Sequence, residues 1–85
     1  MPRRLPLRLL GRPDCEICDG LYGALITNAA VAALGIEVID IDEHPDLQAR
    51  YHFRIPVLVR GETELWAGPV HLDTLENLIA SVLSD

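Results

Sequence analysis

The chain opens with a strand, a long helical segment and a second strand, and this order strongly limits the folds open to it. The apolar run at residues 7–10 ends at Gly11 and predicts a strand. Residues 15–34 contain no proline and many alanines, which predicts one helix ending at Gly35. The β-branched residues 36–41 predict a second strand. A strand–helix–strand unit places its two strands parallel, with a right-handed crossover.

The rest of the chain predicts a second helix, two strands and a closing helix. Pro45 favours the first position of a helix running to Tyr51, and residues 55–60 and 64–66 predict strands joined by a tight turn. Asp73 is the expected N-cap of the last helix. Its apolar residues have the spacing of an amphipathic helix: Leu75, Leu78, Ile79, Val82 and Leu83. The order β-α-β-α-β-β-α predicts an α/β fold, with a mixed four-stranded sheet flanked by helices and residues 1–85 as one domain.

Composition and charge argue against several classes of protein. The 85 residues include 13 carboxylates and 7 basic residues, for a net charge of −6. Because a nucleic-acid surface needs clustered positive charge, we expect no nucleic-acid partner. The longest apolar stretch, residues 21–36, contains Thr27 and Asn28 and is too short to span a membrane, so we expect no membrane partner. Two cysteines are too few for a disulfide-rich secreted scaffold. We expect the protein in the cytoplasm, where thiols are kept reduced. We also expect it to be a monomer.

The two cysteines, Cys15 and Cys18, lie where the first strand gives way to the first helix. Residues at i and i+3 share one helical face, so the two sulfurs can come within bonding distance. The unpaired N–H groups at a helix N-terminus stabilise a thiolate, which is the nucleophile in disulfide exchange. The pattern therefore predicts that Cys15 attacks a disulfide and that Cys18 resolves the mixed disulfide.

Charged residues near the cysteines act in opposite directions. Arg12 favours a thiolate at Cys15, whereas Asp14 and Glu16 oppose it. The acidic residues 40–43 follow the second parallel strand and so lie at the same end of the sheet as the cysteines. They either form a solvated turn that caps the next helix or repel anionic substrates, and the sequence leaves both interpretations open.

Two segments resemble small glutaredoxin-like proteins of the thioredoxin-like superfamily. Residues 11–18, GRPDCEIC, are similar to the glutaredoxin segment in which a basic residue precedes C-x-x-C. Residues 50–58, RYHFRIPVL, resemble the segment that ends a helix and leads to a cis-proline. The resemblance covers nearly the whole chain and implies a thioredoxin-like fold. It also implies a cis peptide bond between Ile55 and Pro56, and substrate binding by these two residues and Arg12.

The chain also departs from that family at several positions. His52 stands where the family has glycine, so a left-handed backbone kept at that site would give it a positive φ. Ile55 replaces a polar residue of the family's glutathione site, and Gly68-Pro69 replaces its glycine–aspartate pair. We therefore predict no cofactor, and glutathione stays an open alternative.

Together these features predict a thiol–disulfide oxidoreductase that acts on a protein or low-molecular-weight disulfide, with an unknown reductase. Two alternatives stay open. The chain could be a binding module whose cysteines are idle, or a dimer that binds zinc or an iron–sulfur cluster through two C-x-x-C pairs.

Overall fold

Four strands form one mixed sheet in the computed structural model, which describes residues 6–84. The strands are β1 (Leu7–Gly11), β2 (Ile36–Asp40), β3 (Val57–Arg60) and β4 (Thr63–Ala67). Their order across the sheet is β2-β1-β3-β4. Strand β1 pairs parallel with β2 and antiparallel with β3, and β3 pairs antiparallel with β4. The predicted mixed four-stranded sheet is confirmed.

Within the same residues, four α-helices and one short 3₁₀ turn connect or follow the strands. The helices are α1 (Glu16–Ile26), α2 (Ala29–Leu34), α3 (Pro45–Tyr51) and α4 (Leu72–Ser84), and the 3₁₀ turn is Ile41–Glu43. Helix α3 has its predicted bounds because proline suits the first helical position, where its missing N–H has no partner to lose. None of these helices is both long enough and apolar enough to cross a membrane.

The prediction of one helix over residues 15–34 is wrong, because the chain breaks at Thr27 and Asn28. The Thr27 hydroxyl donates to the carbonyl oxygen of Gly23 (2.7 Å). Asn28 has an extended backbone, and its side-chain oxygen accepts from the Val31 N–H (3.1 Å) as the N-cap of α2. Such side chains offer the backbone an alternative to continuous helical bonding. The observed order is therefore β-α-α-β-α-β-β-α.

Other boundaries also differ from the predictions. Strand β3 begins at Val57 rather than at residue 55, after a cis peptide bond between Ile55 and Pro56. Proline has no N–H to donate to a strand ladder. His52 has a φ of −59°, so the left-handed backbone is not kept at this position, and α3 ends in right-handed backbone.

The N-cap prediction for the last helix is wrong as well. Helix α4 begins at Leu72, so Asp73 lies inside its first turn. The residue before the helix, His71, donates its N–H to the hydroxyl of Thr74 (3.2 Å). The Thr74 and Leu75 N–H groups in turn donate to the His71 carbonyl. Thr74, three residues after His71, therefore holds the second position of the capping arrangement, and His71 rather than Asp73 precedes the helix.

The sheet packs differently on its two faces. On one face, Leu7, Leu9 and Leu58 pack against the buried side chains of α1, α2 and α4. These are Leu21, Leu25, Val31, Leu78 and Val82. On the other face, a second buried cluster packs against Leu47 and Tyr51 of α3. Its members are Leu10, Val57 and Val59 of the sheet and Ile41 of the 3₁₀ turn. Near one end of that second face, Arg8 and Glu37 pair across β1 and β2 as an exposed ion pair (3.1 Å).

We expect Asn28→Ala to lower the free energy of unfolding by about 1 kcal/mol, because the Val31 N–H loses its capping acceptor. Asn28→Asp is the matched control, since aspartate also caps well and should keep most of the stability. Urea unfolding followed by circular dichroism measures both. Equal stability of Asn28→Ala and the wild type would show that the cap contributes nothing.

Candidate active site

Cys15 is the N-cap of α1, and its sulfur lies at the start of that helix. Its backbone is extended (φ −100°, ψ 100°), and its Sγ accepts a hydrogen bond from the Cys18 N–H (3.2 Å). The two sulfurs are joined as a disulfide, with the Cα atoms 5.2 Å apart. Cys15 is half-buried, whereas Cys18 is only 5% exposed. A reagent in solution therefore reaches the first sulfur more readily than the second.

Gly11, the last residue of β1, lies directly against Cys18. A Cβ atom at Gly11 would be 3.0 Å from the Cys18 Sγ and 3.2 Å from its Cβ. Cys18 is buried in the first turn of α1, so its side chain has little room to move away. The absence of a side chain at Gly11 is what lets the helix start so close to the end of the sheet.

The loop between β1 and α1 turns through a residue with positive φ. Asp14 has a φ of 61°, a conformation that aspartate and asparagine adopt more readily than most other side chains. Sequence reasoning treated Asp14 only as a charge. The sequence did contain a signal for this turn, because a Pro–Asp pair just before a helix N-cap is typical of turns.

The predicted cis-proline segment lies at the same end of the sheet. Val57 pairs with Leu10, so Pro56 lies beside the end of β1, where Gly11 leads into the Cys15 loop. The Gly68 N–H donates to the Pro56 carbonyl (2.8 Å). Gly68 has a φ of 90°, which glycine adopts without strain, and it follows β4 directly. Pro56 itself is fully buried.

Neighbouring side chains hold the segment before Pro56. The Arg54 guanidinium donates to the Glu64 carboxylate on β4 (2.6 Å). That hydrogen bond and the Glu64 charge raise the pKa of Arg54 above its ordinary value. Ile55 is half-buried in the apolar cluster beneath α3. The structure thus brings the backbone of Ile55 and Pro56 to the end of the sheet where the cysteines and Arg12 lie.

Arg12 makes an ion pair with Asp42 in the 3₁₀ turn (Nη2 to Oδ1, 3.3 Å). The same carboxylate oxygen accepts from the Gln48 side-chain amide on α3 (3.1 Å). The Asp42 N–H donates to the Asp40 carboxylate (2.9 Å), and Asp40 pairs with Gly11 in the sheet. The acidic residues 40–43 therefore form a capped turn, and they do lie at the end of the sheet where the cysteines are.

Comparisons with known proteins agree with this geometry. The glutaredoxin-like domain family (DUF836) matches residues 6–80. An X-ray structure of a structural-genomics target from X. campestris is 29% identical, with a TM-score of 0.71, over 93% of this chain and 97% of that one. The solution NMR structure of a Nitrosomonas europaea protein is 27% identical, with a TM-score of 0.72, over 96% and 94% of the two chains.

A more distant neighbour defines the fold. Thioredoxin 1 from Thermosipho africanus is 22% identical, with a TM-score of 0.60, over 94% of this chain and 96% of that one. At this identity the likeness concerns the fold alone, which is thioredoxin-like as the sequence predicted. No curated protein matches the chain.

We expect Gly11→Ala to destabilise the protein by about 1–3 kcal/mol, because the added methyl group crowds the buried Cys18 side chain. Gly20→Ala is the matched control. Gly20 is in the middle of α1, and among residues 6–84 no atom outside its own turn of helix lies within 4 Å of a Cβ placed there. Alanine should therefore stabilise by up to about 1 kcal/mol. Thermal and urea unfolding measure the stability of both variants. A Gly11→Ala protein as stable as the wild type would show that the Cys18 side chain can move to make room for the methyl group.

We expect reduced Asp14→Asn protein to react faster with iodoacetamide near neutral pH. The substitution removes a negative charge next to Cys15, which favours the thiolate, and asparagine tolerates the positive φ at this position. Alkylation rates against pH, measured for Cys15 in a Cys18→Ser background, test this. An unchanged or slower reaction would mean that the Asp14 charge is screened from the sulfur.

Proposed function

Since the chain belongs to the glutaredoxin-like domain family, we propose that it is a thiol–disulfide oxidoreductase in which Cys15 is the nucleophile and Cys18 the resolving cysteine. The hydrogen bond from the Cys18 N–H to the Cys15 sulfur is the observation that carries this proposal. A donor already directed at the sulfur stabilises the thiolate of the reduced protein. The burial of Cys18 supports the assignment of the two roles.

The proposed reaction proceeds by two exchanges. The Cys15 thiolate attacks one sulfur of a substrate disulfide, forms a mixed disulfide and expels the other substrate sulfur as a thiolate, which takes up a proton. Cys18 then loses its proton and attacks the Cys15 sulfur, releasing the second substrate thiol. The substrate disulfide is reduced by two electrons, and the Cys15–Cys18 pair is oxidised. A cellular dithiol or thiol then restores the reduced pair.

The substrate of this proposal is a protein disulfide or a small disulfide. Arg12 and the backbone of Ile55 and Pro56 are the proposed binding groups, which is supported by their position at the end of the sheet that carries Cys15. We propose that a monomer works in this way in the cytoplasm, where the thiols of the pair would be kept reduced between cycles.

The alternative of a shared metal centre makes a different prediction for the reduced protein. Within residues 6–84, no group of three histidine, cysteine or carboxylate side chains could hold a metal ion. One C-x-x-C pair supplies two thiolates, so a four-ligand site would need a second copy of the chain. After anaerobic purification, metal analysis and native mass spectrometry would reveal such a dimer as one metal centre per two chains.

We expect the wild-type protein to catalyse reduction of insulin and of hydroxyethyl disulfide by dithiothreitol, and Cys15→Ser to be no faster than the reaction without protein. Cys18→Ser is the matched control: it should still attack but should accumulate a mixed disulfide, which intact-protein mass spectrometry detects. Circular dichroism checks that both variants fold. Equal inactivity of wild type and Cys15→Ser would favour the binding module with idle cysteines.

A further inference from the structure

The Arg12–Asp42 ion pair lies beside the cysteines. Arg12 and Cys18 line one cavity of about 390 Å³, whose other walls include Tyr22 on α1 and Val38 on β2. Arg12 follows Gly11, where an added Cβ would lie 3.0 Å from the Cys18 sulfur, and it precedes Cys15 by three residues. Because Arg12 shares this cavity with Cys18, its charge acts on a molecule that enters the cavity.

Asp42 offsets that charge. Among residues 6–84, it is the only acidic residue that pairs with the Arg12 guanidinium. Two opposite charges 3.3 Å apart act at longer range as a dipole, whose field falls faster with distance than that of a single cation. The Gln48 side chain binds the same Asp42 oxygen and so holds the carboxylate in place from α3.

Apart from Arg12, the charged residues closest to Cys15 in the sequence are negative, and Arg54, a cation before the Ile55–Pro56 segment, is paired with Glu64. Asp14 and Glu16 flank Cys15, Asp19 follows in the first turn of α1, and Glu43 follows Asp42. With Arg12 neutralised, an anionic molecule approaching Cys15 meets net repulsion.

Building on the proposed function, we propose that Asp42 is a specificity-determining residue. By neutralising Arg12, it directs the Cys15–Cys18 pair toward disulfides flanked by neutral or cationic groups and away from anionic ones such as oxidised glutathione. Asp42 acts through Arg12 and takes no part in the exchange itself.

The test compares two alkylating reagents that react by the same chemistry but differ in charge, anionic iodoacetate and neutral iodoacetamide. Both are applied in a Cys18→Ser background, where Cys15 is the single thiol. Both reagents react with the Cys15 thiolate, so the ratio of their rates does not depend on the fraction of Cys15 that is ionised. We expect Asp42→Asn to raise the iodoacetate-to-iodoacetamide ratio about two- to fivefold, as expected for release of a partly exposed charge from its pair. Asp42→Glu should restore the wild-type ratio.

Glu43→Gln is the matched control, because it removes the same charge one residue away and leaves the Arg12–Asp42 pair intact. A smaller change in Glu43→Gln than in Asp42→Asn supports the proposal. Equal changes in the two variants would overturn it, because overall charge would then explain the effect. An unchanged ratio in Asp42→Asn would overturn it as well.

A second comparison connects this charge effect to disulfide exchange. With both cysteines present, the rate ratio of oxidised glutathione to hydroxyethyl disulfide should rise in Asp42→Asn by a similar factor. A rise with the alkylating reagents but not with the disulfides would overturn the specificity role. Because alkylation requires no turnover, a protein inactive toward every disulfide would contradict the proposed function and still give the alkylation ratio.

Discussion

The close approach of α1 to the end of β1 is the contact on which the arrangement of this site depends. Gly11 has no side chain, so the first turn of α1 can place Cys18 directly against the sheet. Cys15, one turn earlier, then lies at the N-terminus of the helix with its sulfur accepting the Cys18 N–H. Strand β1 also pairs with β2 and β3, so Asp40 and Pro56 reach the same end of the sheet. One backbone contact therefore positions the cysteines, and one central strand positions what surrounds them.

The sequence was informative where one local rule decides the outcome. Pro45 predicted the start of α3, and the spacing of Cys15 and Cys18 predicted two sulfurs on one side of a helix start. It misled where two local preferences compete. Thr27 and Asn28 occur in an apolar, alanine-rich stretch that favours a single helix, yet their side chains bind the backbone and divide that helix in two.

Contacts between distant segments lay beyond prediction. Arg12, Asp42 and Gln48 come from a loop, a 3₁₀ turn and a helix, and only the folded sheet brings them together. From the sequence, Arg12 was a cation next to a thiol and Asp42 one of several carboxylates. Their pairing means that the formal charge of a residue near a reactive group is a poor guide to the field that this group experiences.

The ion pair of Arg8 and Glu37 bears on how the second face of the sheet is covered. Helix α3 is only seven residues long, and these two side chains cover sheet surface near the end of the face it packs on. Opposite charges facing each other across adjacent strands are stable on a solvent-exposed surface, whereas exposed apolar residues there would promote association with other sheets. Within residues 6–84, this face of the sheet is thus covered by one short helix and, near its end, by charged side chains that stay hydrated.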